Sequence, residues 1–157
     1  MDYPVGQCYS GQTIPATCTG SPAFQNLDGA TLPNAPKNKL NVGLDFKQTL
    51  PFAPVDADLN ATTFWQSTEN FGIVKDPGTV QPAYGITNFN LTLTSQRLEH
   101  LSLSLFCNNA FDRHYAANLS NVRSNWTFPT AAGTAYTQEL PRDYFRYFGL
   151  RVAYSSQ

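Results

Sequence analysis

Charge is scarce in this chain. Only 13% of its 157 residues are Asp, Glu, Lys or Arg, and ten basic residues against eleven acidic ones leave a net charge of -1. There is no basic stripe of the kind that draws a protein onto nucleic acid or an acidic lipid surface, so nucleic acid is not expected as a partner. Glu and Lys, both strong helix formers, are sparse. No apolar run approaches the roughly 20 residues of a membrane-spanning helix. The first twenty residues, MDYPVGQCYSGQTIPATCTG, lack the basic start and unbroken apolar core of a signal peptide. Taken literally, that leaves the chain no route out of the cytoplasm. Cysteine is limited to three positions. Cys8 and Cys18 lie in a Gly/Pro/Thr-rich segment that has no core of its own. A local disulfide there would steady the segment and imply an oxidising compartment, whereas two reduced thiols in a floppy tail are the alternative. The spacing suits no zinc motif. Neither a metal nor a cofactor is expected.

What is present favours strands and turns. Aromatics make up 13%, with eight Tyr and eleven Phe, and Asn, Thr and Ser are abundant. Residues 1–36 are broken every few positions by Gly or Pro. Strict period-two alternation then begins. KNKLNVGLDFK sets Leu40, Val42, Leu44 and Phe46 against Lys39, Asn41, Asp45 and Lys47. VDADLNATTFWQ sets Val55, Ala57, Leu59, Ala61 and Trp65 against Asp56, Asp58, Asn60 and Thr62. YGITNFNLTLTS opposes Phe89, Leu91 and Leu93 to Asn88, Asn90 and Thr92. HLSLSLFCN aligns Leu101, Leu103, Leu105 and Cys107, and DYFRYFGLRVAYS aligns Phe148, Leu150, Val152 and Tyr154. Five strands are therefore expected, and no helix. Their connections run short, long, short, long, with the long ones near 67–83 and 112–141 read as irregular. Long strands with short turns at one end and long loops at the other suit a transmembrane β-barrel. One apolar and one polar face equally suit a soluble antiparallel sheet packed on a core.

Three segments carry a resemblance to a family. NNAFDRHYA resembles the signature that ends the penultimate strand of TonB-dependent outer-membrane receptors, through Asn109, Phe111, Asp112 and Tyr115, with Ala110 where the family has Leu. LPNAPKNKLNVGLDF resembles the segment that opens an earlier strand, through Asn34, Ala35, Pro36 and Lys37. PRDYFRYFGLRVAY is similar to the closing strand, with Pro141 and Arg142 leading in. The order and spacing fit the C-terminal part of such a receptor, from about Leu32 to Tyr154. The chain closes on AYSSQ, where these receptors end on an aromatic residue.

The resemblance implies an all-β fold: an antiparallel up-and-down transmembrane barrel segment of about five strands, roughly a quarter of a 22-stranded barrel. Residues 1–36 would be an extracellular loop segment and 37–157 the C-terminal barrel strands. Signal peptide, energy-coupling box and plug would lie in a missing N-terminal part. The implied partners are the rest of the barrel and the plug, outer-membrane lipid, a small-molecule nutrient at the outer loops, and the TonB complex. The implied location is the outer membrane of a Gram-negative bacterium. Lipid-facing residues would be Leu40, Val42, Leu44, Phe46, Phe89, Leu91, Leu93, Leu101, Leu103, Leu105, Phe148, Leu150, Val152 and Tyr154. The function implied is uptake of a ferric siderophore, vitamin or glycan, without catalysis. The alternative is a small secreted β-sandwich serving as a binding or adhesion module.

Asp112, Arg113 and His114 look at first like catalytic residues. No nucleophile elbow, metal cluster or second carboxylate accompanies them, so they read as a strand end, with Asp112 capping local backbone and Arg113 and His114 opening a mobile outer loop. Trp65 and Trp126 read as girdle residues. Four glycosylation sequons, at Asn60, Asn90, Asn118 and Asn125, give weak support to a secreted glycoprotein, since two of them fall inside strands.

Overall fold

A computed structural model describes residues 3–9, 12, 18, 24–98, 101–122 and 135–154. Trp126, the Asn125 sequon and the final SSQ lie outside the described residues. In chain order the strands are β1 (Gly6–Gln7), β2 (Phe24–Gln25), β3 (Lys39–Thr49), β4 (Val55–Gln66), β5 (Glu69–Asn70), β6 (Val80–Gln81), β7 (Tyr84–Ser95), β8 (Leu101–Asn108), β9 (Asn118–Asn121), β10 (Tyr136–Glu139) and β11 (Tyr147–Tyr154). Every pairing is antiparallel. Among the described residues the one helical turn is a single 3-10 turn at Pro77–Thr79.

Contacts divide the chain into two compact units. One comprises Lys39–Gln66, Tyr84–His114 and Arg142–Gln157, and the other Met1–Asn38, Ser67–Ala83 and Tyr115–Pro141. The first holds a five-stranded sheet in the order β11-β8-β7-β4-β3, open at β3 and β11. Its strands fall where alternation placed them, because a residue every second position on one face fixes both strand and register. Asn and Thr alternate with Leu and Phe along β7, and neither set tolerates a one-residue slip.

Register also orients the connections. Thr49 faces Asp56, and Thr94 faces Ser102, so the β3–β4 and β7–β8 turns leave from one end. Leu50 N donates to Val55 O (2.9 Å) and Gln96 N to Pro54 O (2.9 Å), closing the first of these turns and tying the start of the second to it. Gln66 faces Tyr84, and Asn108 faces Tyr147, so both long excursions leave from the other end.

The second unit gathers the stretches expected to be irregular, and here the structure differs from that expectation. Each carries a short strand pair: β1 with β2, β5 with β6, and β9 with β10. Two to four residues are too few to show a period, so these pairs leave no pattern in the sequence. Cys8 and Cys18 are joined by a disulfide, and Cys18, Leu27 and Ala116 are the buried apolar side chains among the unit's described residues.

The unit's polar centre is Asp76, fully buried. Its Oδ1 accepts from Gly78 N (2.9 Å) and Tyr136 Oη (2.9 Å), and its Oδ2 from Asn121 Nδ2 (2.8 Å). A buried carboxyl group is tolerated inside only when its oxygens are so engaged. Gly78 is required at this point, because a Cβ there would collide with the Tyr136 ring.

Candidate functional site

The five-stranded sheet presents two chemically opposite faces. Strand pairing runs Phe46, Leu59, Leu91, Leu105 and Leu150 straight across all five strands. The neighbouring row is Leu44, Ala61, Phe89, Cys107 and Phe148, and the next on the other side includes Ala57, Leu93, Leu103 and Val152. All fourteen residues expected to face lipid share this one face. Ten are exposed, including Leu44 at 62%, Phe148 at 72% and Tyr154 at 71%, while Leu91, Leu93, Leu101 and Leu103 are half-buried. Among the described residues of this unit, Ile86 is the one buried apolar side chain. A soluble monomer rarely exposes so large a continuous apolar patch.

The opposite face is polar and hydrogen-bonded across strands. Asn60 Nδ2 donates to Asp45 Oδ1 (2.7 Å), Lys47 pairs with Asp58 (3.1 Å), and Thr92 and Ser104 share a hydroxyl bond (3.0 Å). Asp56 Oδ1 accepts from Thr49 (2.6 Å) and Gln96 (2.8 Å). Asp56 and Asp58, two apart on one strand, are thus separately engaged. A concavity of about 590 Å³ opens on this face, lined by Asn60, Asn88, Asn90, Phe106, Arg142 and Arg151 among others. Phe106 lies across Gly149, where a Cβ would strike its ring, and meets Tyr147 edge-on (6.2 Å). The glycine opposite an aromatic lets the ring cover the backbone of an edge strand.

At the long-loop end Asn109, in the segment NNAFDRHYA that follows β8, clasps the lead-in of β11 to the sheet beside β7. Asn109 is fully buried in a left-handed conformation, φ 49°, which Asn tolerates better than most residues. Its Nδ2 donates to the carbonyls of Arg113 (2.9 Å), Asp143 (2.9 Å) and Tyr144 (3.1 Å), and its Oδ1 accepts from Arg113 N (2.8 Å). Its own N–H donates to Asn88 Oδ1 (2.9 Å). Asp112, also left-handed at φ 51°, accepts from Arg146 N (2.8 Å). The expectation that Asp112 caps local backbone is corrected, since its carboxylate reaches across 34 residues. His114 is not the start of an unanchored loop either. It stacks on Tyr144 (4.6 Å between centroids) and meets Phe145 edge-on (5.2 Å), with Nε2 3.7 Å from Asp112 Oδ1.

Of the other motif residues, Asn34 is left-handed (φ 56°) and donates its N–H to Asn70 O (2.9 Å). Ala35, Pro36 and Lys37 lead into β3, and Pro141 and Arg142 into β11. Phe111 is exposed and Tyr115 half-buried. Among the described residues no three His, Cys, Asp or Glu are grouped to hold a metal ion.

Two residues carrying much of this order were not singled out from the sequence. Asp76 announces itself only through the Asp-Pro-Gly run that starts a 3-10 turn. The buried Gln81, whose Oε1 accepts from Ala116 N (2.8 Å), gives no signal at all. Sheet and clasp together define an open antiparallel meander with one apolar and one polar face. No family model, curated protein or solved structure matches the chain.

Proposed function

We propose that the chain is the C-terminal barrel segment of a TonB-dependent outer-membrane receptor, and that its function is that receptor's: energised uptake of a scarce nutrient such as a ferric siderophore, vitamin or glycan. The observation that supports this best is the exposed apolar face, continuous across five strands whose other face is polar. That is the pattern of a barrel wall with lipid outside and a polar lumen inside. Dimensions agree. Eleven to twelve residues at about 3.3 Å each, tilted near 45°, rise about 26–28 Å, close to the ~25 Å apolar band of such barrels. The described eight residues of β8 and β11 cover about 19 Å of it. In this reading β3 and β11 pair with further barrel strands, and the polar concavity faces the plug. The excursions 1–36, 67–83 and 112–141 form the extracellular side. The motifs quoted above supply the link to this receptor family.

The test begins with the segment itself. The chain is unfolded in urea and diluted either into buffer or onto phospholipid vesicles, then followed by far-ultraviolet circular dichroism and flotation. Strand signal confined to floating, vesicle-bound protein, with aggregation in plain buffer, is the expected result. A monomer that melts cooperatively in buffer alone would overturn the reading in favour of a soluble β module.

A further inference from the structure

The sequence shows no basic stripe, yet the fold sets an exposed arginine on the rim of the apolar face. Arg146 stands two residues before Phe148, in phase with Phe148, Leu150 and Val152, and its guanidinium lies 5.9 Å from the centroid of the Phe148 ring. An exposed arginine over an exposed aromatic at the end of an apolar strand places a charge where hydrocarbon gives way to headgroups.

The surrounding geometry holds it there. Arg146 N–H is taken by Asp112 Oδ1, and Nη1 reaches Ala110 O at 3.4 Å. Arg113, exposed, follows Asp112 directly in the same turn. Neither arginine takes part in the ion pairs of the described residues, Lys47 with Asp58 and His114 with Asp112. Tyr144, Phe145 and His114 form a ring cluster alongside, with Phe145 61% exposed. Aromatic rings next to an exposed arginine fit the boundary between acyl chains and phosphates. By strand direction this spot lies at the end from which the long excursions leave.

We propose that this rim, centred on Arg146 and helped by Arg113, binds the phosphate of an anionic lipid headgroup in the outer leaflet. The inference rests on the membrane reading above and adds to it a site of lipid selectivity. Arginine suits the task, because its planar fork meets phosphate oxygens two at a time. Asp112 contributes as a positioning residue by fixing the Arg146 backbone.

The experiment refolds the chain into vesicles of phosphatidylcholine mixed with phosphatidylglycerol. The protein is then extracted in mild detergent, and the lipids that stay bound are counted by mass spectrometry. Parent protein should be enriched in phosphatidylglycerol, and Arg146→Gln should lose about fivefold of that enrichment, the worth of one surface cation near a charged membrane. Arg146→Lys should restore most of it. Arg151→Gln, on the polar face, should leave it unchanged. Equal enrichment in parent and Arg146→Gln, or no enrichment in a parent that does insert, would refute the lipid site alone. Failure of the parent to insert into any vesicle would instead overturn the membrane reading and the site with it.

Discussion

Asn109→Ala is the substitution that most sharply probes how the sheet is held. From a fully buried position the side chain engages four backbone groups: its two amide hydrogens are shared among three carbonyls, and its oxygen accepts from the Arg113 N–H. Each such bond has a net worth of about 1 kcal/mol, and a carbonyl left dry costs about 1–3 kcal/mol. Alanine in the left-handed region adds about 1 kcal/mol. Allowing some carbonyls to regain water, the loss comes to about 3–5 kcal/mol. Asn109→Gly removes the backbone strain and should recover about 1 kcal/mol of this. Asn109→Asp keeps the acceptor but turns an oxygen toward three carbonyls, so it should be at least as damaging as alanine. Urea melts of the micelle-refolded protein give the energies, and amide exchange at residues 143–146 localises them. An Asn109→Ala variant within about 0.5 kcal/mol of the parent, the range of ordinary surface changes, would refute the clasp.

The faces make a second prediction. Leu91→Arg, at the middle of the apolar face, should cost about 2–4 kcal/mol in a bilayer, whereas Thr92→Arg, one residue on and facing the polar side, should cost far less; melts in vesicles compare the two. In the loop unit, Asp76→Ala strands Gly78 N, Tyr136 Oη and Asn121 Nδ2 together. It should abolish amide protection in the 118–121 and 136–139 pair while sparing the five-stranded sheet. Reducing the Cys8–Cys18 disulfide, with its separation of 10 residues, releases a loop closure worth about 3 kcal/mol on the chain-entropy model. The effect should appear as faster exchange at Gly6–Gln7 and Phe24–Gln25, with the five-stranded sheet unchanged. Gly149→Val should displace Phe106 and lower the order of β11, read from the near-ultraviolet aromatic signal.

Period-two alternation made the five long strands legible, because a half-buried or lipid-facing strand must repeat every second residue. It also gave the faces, since Leu44, Ala61, Phe89, Cys107 and Phe148 needed only antiparallel register to fall into one row. The segment around Asn109 was legible as a strand end from its residue types. Its role as a clasp was not, because the carbonyls it binds at Asp143 and Tyr144 are 34 and 35 residues away. Asp76 hid for the same reason, with partners at Asn121 and Tyr136 across 45 and 60 residues. Such bonds follow from how loops return, which no local spacing encodes.

Cys107 offers the most direct test of the central claim that the apolar face meets lipid. It is the one cysteine outside the disulfide and stands in the row between Phe89 and Phe148. A fluorescent maleimide placed on Cys107 in vesicle-refolded protein should emit as in hydrocarbon, be quenched by brominated acyl chains and be shielded from aqueous iodide. The same label on Ser104→Cys, with Cys107 replaced by Ser, should show the reverse. Iodide access to Cys107 together with protection from brominated lipid would contradict the account.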